Sequence, residues 1–324
     1  MTDKLHITIV GLGLIGTSAG LALRRYQDKV QVVGHDRNPE VAAAARRLAA
    51  VDRTDWNLIS AIGDADRILL ALPTAEIRPT LAAIAQDLKP GCVLMDTAEL
   101  KMPVLAWAAE LLPPNVHLIG GHPILVAEAQ DAAARADLFE SKLFCLTPDP
   151  RTEDAAVHLA ADLVEALGAR PFFMDPAEHD GMIAAVESLP FMVAGALLDA
   201  ASSSHVWQDM RKLAGGQFYS STLLFLDDGK ATAAACVANR ENTMRWLDAL
   251  IAALGRWREL LAAGDEGQLA QAFDRGLTAR HAWLRAQASG DWGEEVPPPE
   301  IPSTTARMGR LIGLGGLGKP GPRK

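Results

Sequence analysis

The chain has 324 residues, 49% of them apolar and 22% charged, the mix of a soluble globular protein with room for about two domains. Its formal net charge of −9 speaks against a chain built to bind nucleic acid, which would carry a basic excess. Three cysteines, Cys92, Cys145 and Cys236, exclude a disulfide framework and a cysteine-rich metal site, and no paired ligands at helical spacing sit beside a third, so no metal is expected. No run of about 18 consecutive apolar residues is present, and the first residues lack the charged start and apolar stretch of a secretion signal. Neither a membrane span nor export is therefore expected, and the protein is read as cytoplasmic.

Residues 5–10 (LHITIV) predict a short buried strand closed by Gly11, and residues 14–26 continue at helical spacing. Residues 30–35 predict a second strand and 41–50 an alanine-rich helix. An apolar strand over 67–72 stops at Pro73, a helix follows over 75–88, and strands are expected at 92–95 and 116–119. Two more strands, 142–146 and 171–174, bracket a helix at 155–167. Strands alternating with helices of roughly ten to fifteen residues imply βαβ units, hence a doubly wound, mostly parallel α/β sheet over residues 1–175. From 176 to about 290 the pattern turns helical (177–200, 205–213, 231–262, 267–288), with breaks at Gly215-Gly216 and Asp227-Asp228-Gly229. Ser202-Ser203-Ser204-His205 reads as a helix break, because no strand–turn–helix elbow surrounds it. Residues 291–324 hold 6 Pro and 7 Gly and read as a disordered tail.

Gly11-Leu12-Gly13-Leu14-Ile15-Gly16 is a G-x-G-x-x-G between a strand and a helix, and the next strand runs into Asp36, 25 residues beyond Gly11. That context is the dinucleotide fingerprint of a Rossmann-type sheet. Gly11 permits the tight turn, Gly13 lets backbone approach a pyrophosphate, Gly16 lets helix and strand pack closely, and the helix N-terminus with Leu14 and Ile15 offers N–H groups to phosphate. Asp36 would accept the ribose hydroxyls and repel a 2′-phosphate, which favours NAD. Arg37 beside it keeps NADP open. Pro73, at a strand's C-terminal edge, is a further cofactor candidate.

At Gly120-Gly121-His122-Pro123-Ile124-Leu125-Val126-Ala127-Glu128, followed by Ala136-Asp137-Leu138-Phe139, the chain resembles the prephenate and arogenate dehydrogenases. The likeness extends through Leu88-Lys89-Pro90-Gly91 to Asp96 and Lys101, then Glu178-His179-Asp180, Ala214-Gly215-Gly216 and Ala238-Asn239-Arg240-Glu241. It implies a Rossmann domain followed by an all-helical substrate and dimerisation domain (176–290), hence a homodimer, and a small-molecule substrate. It also implies oxidation of a cyclohexadienol with decarboxylation, on the way to tyrosine. His122 is then the base, just past a strand end; Glu99 and Glu128 join it as catalytic candidates, and Asp96 joins the cofactor set. An imidazole suits a base at neutral pH. Trp207, Trp246, Trp257 and Trp283 are expected as core or dimer contacts.

Several positions depart from the family's pattern. The serine of its Asp-x-Gly-Ser-x-Lys loop is Glu99 here, the glycine after His-Pro is Val126, and the Ser-His-Leu-Pro-His of the connector helix is Glu187-Ser188-Leu189-Pro190-Phe191. The arginine that meets the substrate carboxylate aligns with Leu223, the basic residue before it with Tyr219, and the downstream tryptophan with Thr232. Loss of a bidentate arginine weakens a carboxylate ligand by ~2–5 kcal/mol; Lys101, Arg211 or Lys212 are the cations that could replace it. Two alternatives follow: a diverged dehydrogenase for a less anionic alcohol, and a catalytically silent NAD-binding regulator.

Overall fold

The computed structural model describes residues 4–125, 133–225 and 229–292. The expectations for Val126, Glu128 and nearly all of the tail fall outside these residues. The described residues group into two units, one of them residues 4–183 with 229–238 and the other residues 184–225 with 239–292.

The first unit is an eight-stranded sheet. Its strands are β1 (Leu5–Val10), β2 (Val30–His35), β3 (Arg53–Thr54), β4 (Arg67–Leu70), β5 (Val93–Asp96), β6 (His117–Pro123), β7 (Leu143–Thr147) and β8 (Arg170–Phe173), in the spatial order β3-β2-β1-β4-β5-β6-β7-β8. Pairing is parallel from β3 to β6, antiparallel between β6 and β7, and parallel again to β8. The order reverses beside β1, which places a topological switch point at its C-terminal end, where ligands of such sheets bind.

Both faces are covered, so the strands are apolar on both sides. Ile7, Ile9, Leu69, Val93, Met95 and Ile119 share one core with α1 (Leu14–Leu23) and the helix Asp154–Ala166. Ile68, Leu70, Leu94 and Leu118 face the other way, against Ile62, Ile77, Leu81 and Val104. Those residues come from the helices Leu58–Ile62, Thr74–Ile84 and Met102–Leu111, which with Pro39–Arg47 (α2) are numbered α3, α4 and α5; Asp154–Ala166 is α6. Neither β3, two residues long, nor α3 and α5 was expected from the sequence.

The predicted strand at 116–119 is longer in the structure. It hydrogen-bonds to β5 as far as Ile119, then continues from Gly120 to Pro123 against β7. His122 is therefore inside a strand, opposite Cys145, not in a loop past its end.

A helix of eight residues, α7 (Pro176–Ile183), ends the first unit. A π turn, Ala184–Ser188, begins the second and leads into α8 (Leu189–Ser202). Pro190 lacks an N–H, so the regular ladder is interrupted one turn earlier, as π turns require. Then come α9 (Trp207–Leu213), α10 (Gly216–Thr222), α11 (Gly229–Ala238), α12 (Arg240–Ala263) and α13 (Glu266–Ser289). The single helix predicted over 231–262 is two helices meeting at Asn239, and α11 groups with the first unit.

The second unit buries little. In α12 and α13, each 24 residues long, one residue apiece is buried (Thr243 and Ala272). Ile251, Leu254, Leu261, Phe273 and Leu277 all lie more than half exposed or at that edge, between 50% and 66%. The stretch Pro176–Ser202 is also long and apolar enough, by length and composition, to cross a membrane. Counting uninterrupted apolar runs overlooks it, because Asp180, Glu187 and Ser188 break the run.

Candidate active site

The glycine-rich turn is built by backbone. Gly11 sits at φ +91°, a left-handed conformation that disfavours other residues, and donates its N–H to the His35 carbonyl at 2.8 Å. A Cβ on Gly16 would fall on the Gly11 carbonyl oxygen, so helix α1 can approach β1 only with glycine there. A Cβ on Gly13 would meet nothing within 4 Å. This open face at the N-terminus of α1, with unpaired helix N–H groups behind it, is a cradle that fits a pyrophosphate. Leu14 and Ile15 open the helix half-buried against the core.

Asp36 follows β2 and shapes the same turn. One carboxylate oxygen accepts the Leu12 N–H and the other the Asn38 N–H, both at 2.8 Å. Each oxygen keeps a further lone pair, so Asp36 can still accept ribose hydroxyls. Arg37 is 80% exposed and pairs with Glu76 at 3.0 Å. Pro73 is the N-cap of α4, directly after β4.

Asp96 was expected at the cofactor. It is fully buried, forms an ion pair with Lys101 and accepts the N–H of Ala98 at 2.8 Å and that of Gly121 at 3.4 Å. In this structure its side chain has no exposed surface and braces the Lys101 ammonium and the Gly121 backbone. Lys101 is buried equally and donates also to the Gly121 carbonyl at 2.6 Å. Its ammonium is engaged by Asp96 and Gly121, a burial that a lone lysine in a sequence does not advertise.

His122 is buried, and its Nδ1 lies 3.1 Å from Nε2 of His179. Nδ1 of His179 in turn lies 3.0 Å from Asp180, whose carboxylate accepts the N–H groups of Lys101 at 2.8 Å and Met102 at 2.9 Å. Burial holds the His122 imidazole well below its ordinary value, with the Lys101 charge and His179 pushing the same way. It is thus a neutral imidazole, able to accept a proton, at physiological pH. Glu99 is half-buried, and burial raises its carboxyl against the pull of Lys101. The pairing of His122 with His179 was missed in the sequence, although the Glu178-His179-Asp180 string stood out there.

In the second unit Ser188 is buried and Phe191 stacks on Phe225 with ring centres 4.8 Å apart. Leu223 and Tyr219 are 42% and 67% exposed. Arg211 and Lys212 are exposed on α9, Lys212 paired with Asp209 at 2.8 Å. A cleft of about 500 Å³ is lined by Trp207, Met210, Leu213, Gly215, Gly216 and Phe218. Among the described residues, no group of three or more His, Cys, Asp or Glu could hold a metal ion.

A glycine-rich turn at a switch point, with a buried neutral imidazole three strands away on the same sheet, defines a nucleotide-dependent dehydrogenase. The chain belongs to the prephenate dehydrogenase family. The family's nucleotide-binding domain matches residues 19–172 and its dimerization domain residues 175–275. The chain is 30% identical over 285 residues to the cyclohexadienyl dehydrogenase of Zymomonas mobilis, covering 87% of this chain and 97% of that one. Two solved structures are similar at 25% identity. They are the prephenate dehydrogenase of A. aeolicus in complex with hydroxyphenyl propionate and NAD+ (TM-score 0.78; 86% of this chain, 98% of that one) and the arogenate dehydrogenase of Synechocystis (0.73; 86% and 100%). The protein is accordingly a prephenate-dehydrogenase-like oxidoreductase.

Proposed function

We propose that the protein oxidises a cyclohexadienol carrying a ring carboxylate, prephenate or arogenate, with NAD, in the cytoplasm, as a step toward tyrosine. The observation that carries this reading is the buried, neutral His122 on β6, three strands from the switch point of the same sheet, in a chain of this family. The Gly11–Gly16 turn and the start of α1 would hold the pyrophosphate and Asp36 the adenosine ribose. NAD is preferred because the Asp36 carboxylate would repel a 2′-phosphate, while Arg37 is engaged by Glu76. When bound, the nicotinamide supplies the hydride acceptor. His122 takes the hydroxyl proton as the carbonyl forms, and loss of the ring carboxylate then aromatises the ring. Glu99 and Glu128 are further candidates at the substrate.

The domain division that goes with this is a nucleotide-binding part over 1–175 and a helical substrate and dimerisation part over 176–290. The exposed apolar side chains of α12 and α13, Ile251, Leu254, Leu261, Phe273 and Leu277 among them, support a homodimer through the helical part. A second reading, oxidation of a less anionic alcohol, is favoured by Glu99, Phe191 and Leu223 at positions where the family pattern has polar or cationic groups.

The test is a steady-state assay of NAD and NADP reduction with prephenate and with arogenate, on the intact chain and on His122→Asn. Turnover with either substrate, lost in His122→Asn, is the expected result. NAD binding without turnover of either one refutes the substrate assignment; NAD binding unchanged by His122→Asn, with no reduction of NAD by any candidate alcohol, points to the silent regulator.

A further inference from the structure

We infer that His179 and Asp180 are positioning residues for His122, forming a buried His–His–Asp chain that sets which nitrogen of the base is unprotonated and receives the proton it collects. The inference rests on the reading of His122 as the base.

The hydrogen-bond logic runs inward from α5. Asp180 accepts two backbone N–H groups, from Lys101 and Met102, at the N-terminus of that helix. Those donors and the helix dipole stabilise the ionised carboxylate, which can only accept. The proton between it and His179, at 3.0 Å, therefore sits on His179 Nδ1. In the neutral ring Nε2 of His179 is then an acceptor. It faces His122 Nδ1 at 3.1 Å, with the rings edge to face at 77° and their centres 5.2 Å apart. His122 must therefore carry its proton on Nδ1, which leaves Nε2 as the basic nitrogen. A third group orienting a base in this manner is the general logic of proton-abstracting sites.

The same chain has somewhere to send the charge. When the alcohol O–H bond breaks, its proton goes to His122 Nε2 while the C–H electron pair departs as hydride. The Nδ1 proton of His122 can then pass to Nε2 of His179. His122 is left neutral in its other tautomer and His179 becomes an imidazolium beside the Asp180 carboxylate. Two protons shift in relay, a net transfer of one from the alcohol to His179, and the hydride goes to the nicotinamide of the proposed function, so no further oxidant or reductant is needed. The positive charge comes to rest beside the Asp180 carboxylate. The depressed basicity of His122 has burial and Lys101 as its two largest causes; His179 is buried as well, and what it adds for the charge is that adjacent anion.

The test combines a tautomer measurement with kinetics. In the full chain labelled with ¹⁵N histidine, free of substrate and nucleotide, the ring nitrogens of His122 are read by NMR. The expected spectrum has a protonated Nδ1 and an unprotonated Nε2. His179→Gln places an amide oxygen near the lost Nε2 and should keep that tautomer, with kcat within about tenfold. His179→Asn keeps a partner for Asp180 but withdraws the acceptor from His122. It should give a tautomer mixture and a kcat about 100-fold lower with KM changed less than about threefold. His122 protonated on Nε2 in the unaltered chain overturns the proposal, as does an Asn variant whose loss is all in KM. If neither variant folds, the spectrum of the unaltered chain decides. Failure to oxidise any cyclohexadienol would defeat the proposed function and leave that spectrum to judge the chain of imidazoles by itself.

Discussion

Replacing Lys101 by methionine tests the buried foundation of the site. Lys101 and Asp96 are both without exposed surface, and the ammonium also donates to the Gly121 carbonyl. Methionine fills similar space but leaves the Asp96 carboxylate with only the N–H groups of Ala98 and Gly121. Breaking a buried pair from one side costs ~3–5 kcal/mol. With a urea dependence of ~2–3 kcal/mol per molar, the midpoint for the nucleotide-binding unit should fall by about 1–2 M. The loss should also depend on pH. Burial already raises the Asp96 carboxyl, against the pull of Lys101; without Lys101 it rises further. A carboxyl that binds its proton more tightly folded than unfolded loses stability as pH rises toward its folded value. The deficit of Lys101→Met should therefore grow as pH rises above the ordinary carboxylate range. Adding Asp96→Asn, which removes the stranded charge, should recover a large part of it. The measurements are urea melts followed by circular dichroism at several pH values. A loss under ~1 kcal/mol, or a double variant no more stable than the single one, would refute the account of a buried charge pair.

Three further outcomes follow from the geometry. Gly13→Ala should leave the thermal midpoint within about 2 °C, because its Cβ meets open space, yet weaken NAD binding at least tenfold by calorimetry. Gly16→Ala, whose Cβ collides with the Gly11 carbonyl, should instead lower stability by ~1–3 kcal/mol, and equal effects of the two would contradict the cradle. The acid limb of kcat/KM should lie well below pH ~6.5, since burial and then Lys101 hold His122 neutral; a limb at or above that value would remove His122 as the titrating base. Sedimentation at micromolar concentration should find a dimer, and charged substitutions such as Leu254→Glu and Leu277→Glu should yield monomer with the nucleotide-binding unit still folded.

Much of this was legible from residue types alone. The alternation of apolar strands with helices gave the wound sheet, and Gly11, Gly13, Gly16 and Asp36 gave the turn that defines it. What escaped depended on partners distant in the chain. Residues 120–123 look like a glycine-rich loop, and only the pairing with β7 makes them strand. Two residues of β3 carry no periodicity at all, and Met102-Pro103 conceals a helix start. Lys101 reads as a surface cation until Asp96, folded against it, shows where both lie. His179 was visible within a motif, yet a motif does not say that its ring meets His122 across 57 positions of sequence.

Strand β6 changes partners in mid-course, from β5 to β7, and carries His122, the proposed base, within the second half. Gly120 and Gly121 have no room for a side chain there: a Cβ on one would strike Thr147, and on the other Asp96 and Phe144. The His122 imidazole is thus mounted on a stretch of chain that mutation can scarcely alter. Ser188, Phe191 and Leu223, the positions read from the sequence as departing from the family pattern, belong to the helical unit. On the proposed function, substrate choice can then change by rewriting helices while the proton-abstracting step stays in place.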